Sequence, residues 1–210
     1  MADWVTISAL ATAGGTLALA GATYASVRSS NRSARVAEQA LQEQRRPLLV
    51  GARLDDPEQK TRFADGRWIR TQGAQAVLDE EGDTVYLGIP VRNAGAGIAV
   101  LQGWHIWPDL VTSGVGHRQP EEFRPQIRDI YIAPGDIGLW QGALREGDRE
   151  QALAIEAAHT ERRPLSIDLL YSDQVGGQRT ISRFIISPIG DDGWLASVGL
   201  HWNLDAASPR

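Results

Sequence analysis

The side chains best suited to catalysis in this sequence are four histidines and a pair of adjacent aspartates. The histidines are His105, His117, His159 and His201. His105 or His201 together with Asp191 and Asp192 would supply a base and a carboxylate for a hydrolase, or the ligands of a metal site. Both histidines stand beside tryptophans, however, and no spacing typical of a known ligand set accompanies them. We therefore expect aromatic packing here and keep a hydrolase or metal-binding domain as the alternative.

Other catalytic patterns are missing from the sequence. It contains no cysteine, which excludes disulfides, thiolate zinc sites, iron–sulfur clusters and a cysteine nucleophile. The motifs G-x-S-x-G, H-E-x-x-H, the Walker loop and the EF-hand are also absent. We expect no enzymatic activity and no cofactor.

A glycine-rich phrase, Gly95-Ala96-Gly97, resembles part of a dinucleotide-binding loop. The fingerprint G-x-G-x-x-G/A requires glycine or alanine where Val100 stands, and the following residues are typical of a strand instead of a helix. We expect both glycines to occupy positive-φ or bulge positions after a strand, with Asn93 bonding nearby backbone.

The seven tryptophans are numerous for a small domain, and tryptophan is frequent both in cores and at binding hot spots. Trp107 and Trp140 are the candidates for a partner surface, provided that both are exposed on one face. The partner itself is a protein that the sequence does not identify. The formal charge of −5 argues against nucleic acid.

The elements that carry these residues begin with an uncharged stretch from Trp4 to Val27. Its length matches a helix that crosses a membrane, so residues 1–27 are predicted as a transmembrane helix. Two alternatives remain, a buried helix and a cleaved signal peptide, which would release a secreted binding domain. Both Ala18-Leu19-Ala20 and Ala20-Gly21-Ala22 resemble cleavage sites.

Arginines follow this stretch directly. Arg28, Arg32 and Arg35 would contact lipid headgroups and keep the C-terminal domain in the cytoplasm, because positive flanks stay on that side. Residues 28–46 contain no glycine or proline and precede Pro47, which predicts a linker helix.

Small residues recur every fourth position within the predicted span, at Gly14, Ala18 and Ala22. Such a face lets two helices approach closely. We therefore expect these residues to pack a homodimer through the helix.

From Pro47 the pattern changes to short apolar runs separated by turn residues, which predicts strands. The runs cover residues 47–54, 84–93, 97–107, 127–133, 137–144, 164–173 and 178–187. Alternation within several runs indicates antiparallel sheet. Residues 47–210 are thus predicted to form an immunoglobulin-like β-sandwich with one short helical insertion, Gly147 to Arg163, capped by Asp148. The tail from Gly193 fits either a strand or a helix.

Two short motifs resemble those of uncharacterised actinobacterial-type single-span membrane proteins that carry a C-terminal small β-sandwich. The first motif is Val91 to Ala99, and the second is Tyr171-Ser172-Asp173 with Gly177 to Thr180. The near-exclusive use of arginine, with Lys60 the sole lysine, agrees with this resemblance. It implies a membrane helix followed by a sandwich, and it implies no catalytic residues. The sequence as a whole predicts a membrane-anchored accessory or interaction module with a cytoplasmic β-sandwich.

Overall fold

The first element is one long helix. The structure, a computed structural model, describes residues 4–112 and 114–205, and α1 extends without interruption over Trp4–Gln44. The predicted boundary between 1–27 and 28–46 lies inside this helix, and residues 1–3 lie outside the described residues. Abundant alanine and the absence of proline favour the continuous helix. The chain divides into two units, one up to Gln44 and one from Arg45.

Among the described residues, no helix combines the length and the hydropathy needed to cross a membrane. The prediction of a transmembrane helix over residues 1–27 is therefore not supported. Alanine, glycine, serine and threonine make up most of this stretch, and they add far less hydropathy than leucine or isoleucine.

The second unit is mainly β, as predicted. Its strands within the described chain are β1 Leu49–Gly51, β2 Gln59–Arg62, β3 Trp68–Thr71, β4 Gln75–Glu81, β5 Thr84–Asn93, β6 Ala99–Trp107, β7 Arg124–Ile132, β8 Ile137–Leu144, β9 Leu165–Ser172, β10 Thr180–Ile189 and β11 Gly193–Asn203. One helix, α2 at Arg149–Thr160, separates β8 from β9. The tail from Gly193 is thus a strand.

Nine of the described strands form one curled antiparallel sheet in the order β1-β5-β4-β11-β10-β9-β6-β7, with β8 on the other edge of β5, and β2 and β3 pair only with each other. The predicted antiparallel, sandwich-like β fold is thus confirmed, and it is built from one continuous sheet that folds back on itself. Strand β4 makes the corner, because Ala76 pairs with Trp194 of β11 while Val77 pairs with Gly88 of β5. Strands that change sheets in this way form the corners of packed β structures.

The core fills the inside of the curl. The inward rows of β5 and β9 are completely buried: Val85, Leu87, Ile89, Val91, Leu165, Ile167, Leu169 and Tyr171. Both rows follow the alternation read from the sequence. The opposite face of β9, expected to be wetter, is polar but also buried, since Ser166 and Asp168 have no exposed surface.

The helical insertion is confirmed as α2. Ala152, Ile155 and Ala158 are buried at helical spacing, whereas Leu153 is 47% exposed. Asp148 stands at the N-cap without capping the helix through its side chain. Its carboxylate instead binds the Arg124 guanidinium at 2.6 Å.

The short hairpin β2–β3 lies against the outer face of the sheet. Phe63 and Tyr86 meet edge to face with ring centroids 4.8 Å apart. Phe63, Ile69 and Tyr86 form a small buried cluster there, with Leu139 and Ala143 packed against it. This cluster fixes the hairpin beside β8.

Candidate functional site: an arginine-lined cleft

Strands β7 and β8 lie at the two ends of the curled sheet. Among the described residues, each pairs along one edge only, β7 with β6 and β8 with β5. The space between them, closed on one side by the hairpin β2–β3, is a cleft of about 650 Å³. Its volume falls in the range of small-ligand sites. Four arginines line it, and we name it the arginine cleft: Arg62, Arg124, Arg128 and Arg145.

A bulge in β7 forms one wall of the cleft. Leu101 of β6 pairs with Ile130, and Gly103 pairs with Pro125, so residues 126–129 of β7 stand opposite Gln102 alone. The extra residues project from the sheet, and Ile127 is 85% exposed. Bulges of this kind commonly redirect side chains next to functional sites.

The bulge and the hairpin meet across the cleft. The Arg128 guanidinium donates a hydrogen bond of 2.8 Å to Thr61 Oγ1 on β2. At the end of β8, Arg145 forms an ion pair with Asp65 at 2.9 Å, and Tyr86 Oη also donates to that carboxylate. Burial alone would raise the pKa of Asp65, but the hydrogen bonds from Arg145 and Tyr86 lower it below its usual value. Asp65 is therefore anionic at neutral pH and holds Arg145 in place.

The Trp104 ring lines the apolar side of the cleft, and Trp140 is buried in the core. Trp104 and Trp140 pack edge to face at 5.4 Å, and the Arg124 guanidinium lies 5.4 Å from the Trp104 ring centroid. Gly142 is needed between them, because a Cβ there would meet the rings of both tryptophans. Arg124 is thus fixed by a cation–π contact and by Asp148.

The charge of the cleft is positive and only partly neutralised. Asp148 is the one carboxylate among the described residues that line it. Arg62 and Arg128 are exposed and have no carboxylate partner within the described part of the chain. The arrangement can therefore bind carboxylate or phosphate groups, for which arginine offers several donors.

Two glutamine oxygens of the cleft have no hydrogen-bond donor among the described residues. They are Oε1 of Gln126 and Oε1 of Gln141. Gln141 is 9% exposed, and its backbone carbonyl accepts a hydrogen bond of 3.2 Å from Gln126 Nε2. Unpaired buried acceptors are rare and call for an explanation such as a ligand.

Trp107 and Trp140 do not form the predicted partner surface together. Trp140 is completely buried, because its large ring fills the core beneath β8. Trp107 is half-buried, and its Nε1 donates to Asp168 Oδ2 at 3.1 Å. The expectation that these two tryptophans share an exposed face is therefore wrong.

Trp107 belongs to a buried polar cluster outside the cleft. Arg183 binds both oxygens of Asp168, with Nε 2.6 Å from Oδ1 and NH2 2.7 Å from Oδ2. The guanidinium lies between the Trp107 and Trp202 rings, 5.5 and 4.9 Å from their centroids. It also donates to the carbonyls of Val115 and Gly116, which holds the loop between β6 and β7 over the polar face of β9.

The histidines and aspartates proposed for the alternative function are not brought together. Asp191 and Asp192 lie in the turn between β10 and β11. His201 is nine residues beyond Asp192, in β11. In an extended strand nine residues span about 30 Å. His105 packs against the Trp107 ring at 4.7 Å. Across the described residues, no group of three potential metal ligands converges.

His201 has a different partner. Its Nδ1 is 2.7 Å from Ser182 Oγ, which is 2.8 Å from Tyr171 Oη. Burial raises the pKa of Tyr171 to about 12 and lowers the pKa of His201. Ser182 is completely buried, so no substrate can reach its oxygen, and the chain of hydrogen bonds serves to satisfy buried polar groups.

The glycine-rich segment Gly95-Ala96-Gly97 packs against the backbone of residues 45–48. Asn93 is completely buried and donates to the carbonyls of Gly97 and Ile132 while it accepts from the amides of Leu48 and Gly95. The expected backbone role of Asn93 is thus confirmed. Neither glycine has a positive φ. Glycine is required at both positions because a Cβ would fall on the backbone of residues 45–48.

The helix residues predicted to act at a membrane are all exposed on α1. These are Gly14, Ala18, Ala22, Arg28, Arg32 and Arg35. Helix pairing and headgroup contact both require exposed residues, but exposure alone tests neither of them. Both expectations therefore stay predictions.

Comparison of the chain with family models, with curated proteins and with solved structures finds no match. The resemblance to single-span membrane proteins therefore remains a hypothesis.

Proposed function

We propose that the chain is an interaction module without catalysis, whose β domain binds an anionic partner in the arginine cleft. The observation that carries this proposal is the pair of exposed arginines, Arg62 and Arg128, that face the cleft from opposite walls without a carboxylate partner among the described residues. Arg124 and Arg145 are held in place by Asp148 and Asp65, which gives the partner a preformed positive surface.

The geometry supports binding better than catalysis. A carboxylate or phosphate needs only positioned guanidinium donors, and the cleft supplies them. The alternative, a hydrolase built on histidine and aspartate, would require His201 or His105 to face an open pocket with a carboxylate beside it. His201 instead points to the buried Ser182.

The test is anion binding by the full chain in a mild neutral detergent. Two probes are labelled polyacrylate, which carries carboxylates without amide groups, and labelled polyglutamate. Both should bind, and affinity should fall steeply with salt because exposed charges are screened. Arg62→Gln and Arg128→Gln should each weaken binding by about fivefold.

Arg53→Gln is the matched control, since Arg53 is exposed and does not line the cleft. It should bind both probes as the unmodified chain does. Equal loss in all three variants, or no binding by the unmodified chain, would contradict the proposal.

Attachment to a membrane is the second part of the proposal, with the β domain on the cytoplasmic side. The support comes from the uncharged stretch of α1 up to Val27 and from Arg28, Arg32 and Arg35 directly after it. Each arginine near an anionic surface contributes about 1 kcal/mol of binding free energy.

A further inference from the structure

We infer that the anionic partner is an extended acidic polypeptide that lies along the free edge of β8. This inference rests on the proposed function, because it specifies the partner of the same cleft. The positive charge of the cleft does not by itself identify the partner as a polypeptide. The glutamine oxygens and the unpaired edge of β8 do.

The glutamine oxygens favour a ligand that donates hydrogen bonds. Gln141 Oε1 is buried without a donor among the described residues, and Gln126 Oε1 shares this state across the cleft. A carboxylate or sulfate ion has only acceptor oxygens and would leave both glutamine oxygens unpaired. A peptide carries an N–H on nearly every residue, so it can satisfy the oxygens while its acidic side chains meet the arginines.

The strand edge indicates an extended conformation. Along Ile137–Leu144, β8 pairs with β5 on one side, and on the cleft side its Gln141 carbonyl accepts only the Gln126 side chain among the described residues. Free strand edges are templates for an added strand. Among the described strands β7 pairs with β6 and not with β8, so no neighbouring strand occupies this edge.

The distribution of charge agrees with an elongated ligand. The arginines come from three elements: Arg62 from β2, Arg124 and Arg128 from β7, and Arg145 from the end of β8. A phosphate site would gather its donors around one point. Here the donors belong to three separate elements, and one extended chain with acidic side chains on alternate residues can contact several of them.

The experiment compares three labelled probes on the full chain: a five-residue peptide alternating glutamate and valine, the same peptide with N-methylated backbone amides, and the peptide with glutamine in place of glutamate. N-methylation keeps every charge and removes the donors. We expect the acidic peptide to bind at least fivefold more tightly than its methylated form, as for about one hydrogen bond. The glutamine peptide should bind weakest.

Two variants test whether the backbone N–H groups of the peptide donate hydrogen bonds to the glutamine oxygens. Gln141→Met removes one acceptor at similar volume and should weaken the acidic peptide about fivefold without changing the affinity of the methylated peptide. Gln126→Met should act in the same direction, so a folding defect in one variant leaves the other to decide. Thermal unfolding of each variant checks the fold.

The outcomes separate the two proposals. Equal affinity for the acidic and methylated peptides, with both weakened by Arg62→Gln, would overturn the polypeptide inference and leave the anionic cleft standing. An oligonucleotide of equal charge that binds more tightly than the acidic peptide would also overturn it. Failure of every anionic probe, polyacrylate included, would overturn both.

Discussion

Single residues decide how the polar face of β9 can be buried. Asp168 and Arg183 occur in alternating strands where exposed polar positions are expected, yet both are completely buried. They are directly opposite each other in the register of β9 and β10, so the ion pair joins neighbouring strands. The remaining donors of Arg183 go to the loop carbonyls, and the pair is left without an unpaired charge.

Breaking this pair should be costly, because it leaves a charge buried alone. We expect Arg183→Met or Asp168→Leu to lower the free energy of unfolding by about 3–5 kcal/mol, and the double variant to cost far less than the sum. Denaturant unfolding of the single and double variants measures both. Additive losses would show that the two side chains act independently.

His105 gives the stability a dependence on pH. Burial lowers its pKa in the folded chain below the usual 6.5, an effect that nearby arginines strengthen and Asp168 opposes. The unfolded chain therefore takes up the proton first, and the free energy of unfolding should decrease as the pH falls below about 6.5.

The variant His105→Phe tests this dependence, since phenylalanine preserves the ring contacts with Trp107 and cannot be protonated. The drop in unfolding free energy between pH 7.5 and pH 5.5 should be smaller in the variant. An unchanged pH profile would assign the effect to other groups, His201 among them, whose pKa burial also lowers.

At the scale of elements, the sequence predicts strands well where one face is apolar. The run at 84–93 matches β5 at both ends, and the alternation in it identifies the buried side chains. Strands β2, β3 and β4 were missed, because their sequences, QKTR, WIRT and QAVLDEE, are largely polar. Their positions depend on contacts with Tyr86 and with β11 that lie far away in the chain.

The bulge of β7 did leave a signal in the sequence. Ile130 and Ile132 keep the period of two, whereas Ile127 is out of phase with them, and it is the residue that projects into solvent. The arginine cleft itself could not be predicted. Its arginines lie between positions 62 and 145, and only the curl of the sheet brings them together.

The long helix α1 carries the prediction of self-association. Gly14, Ala18 and Ala22 form a smooth exposed face, and close backbone approach favours dispersion contacts between helices. Ala18→Leu should weaken cross-linking of the chain in native membranes while it adds hydropathy. A dimer band of equal strength in both proteins, or none in either, would contradict pairing through this face.

For the whole molecule, we expect the chain with α1 and the β domain alone to differ in their association with membranes. The full chain should sediment with membranes, whereas residues 47–210 alone should remain in solution. Recovery of a shortened chain in the culture medium would instead favour the cleaved signal peptide. A reporter that works only in the cytoplasm should be active when fused after Arg210, and an active exported reporter there would contradict the proposed orientation.

The corner in β4 also sets an order of events during synthesis. The sheet can close only when Gln75 and Ala76 meet Leu195 and Trp194 of β11, and the ribosome makes β11 last of all the described strands. Until then β4 and β10 each present an unpaired edge, the kind of surface that promotes aggregation of incomplete chains. Pairings so distant in sequence also form slowly. Nascent chains stalled before Gly193 should therefore depend on chaperones more than the finished protein does.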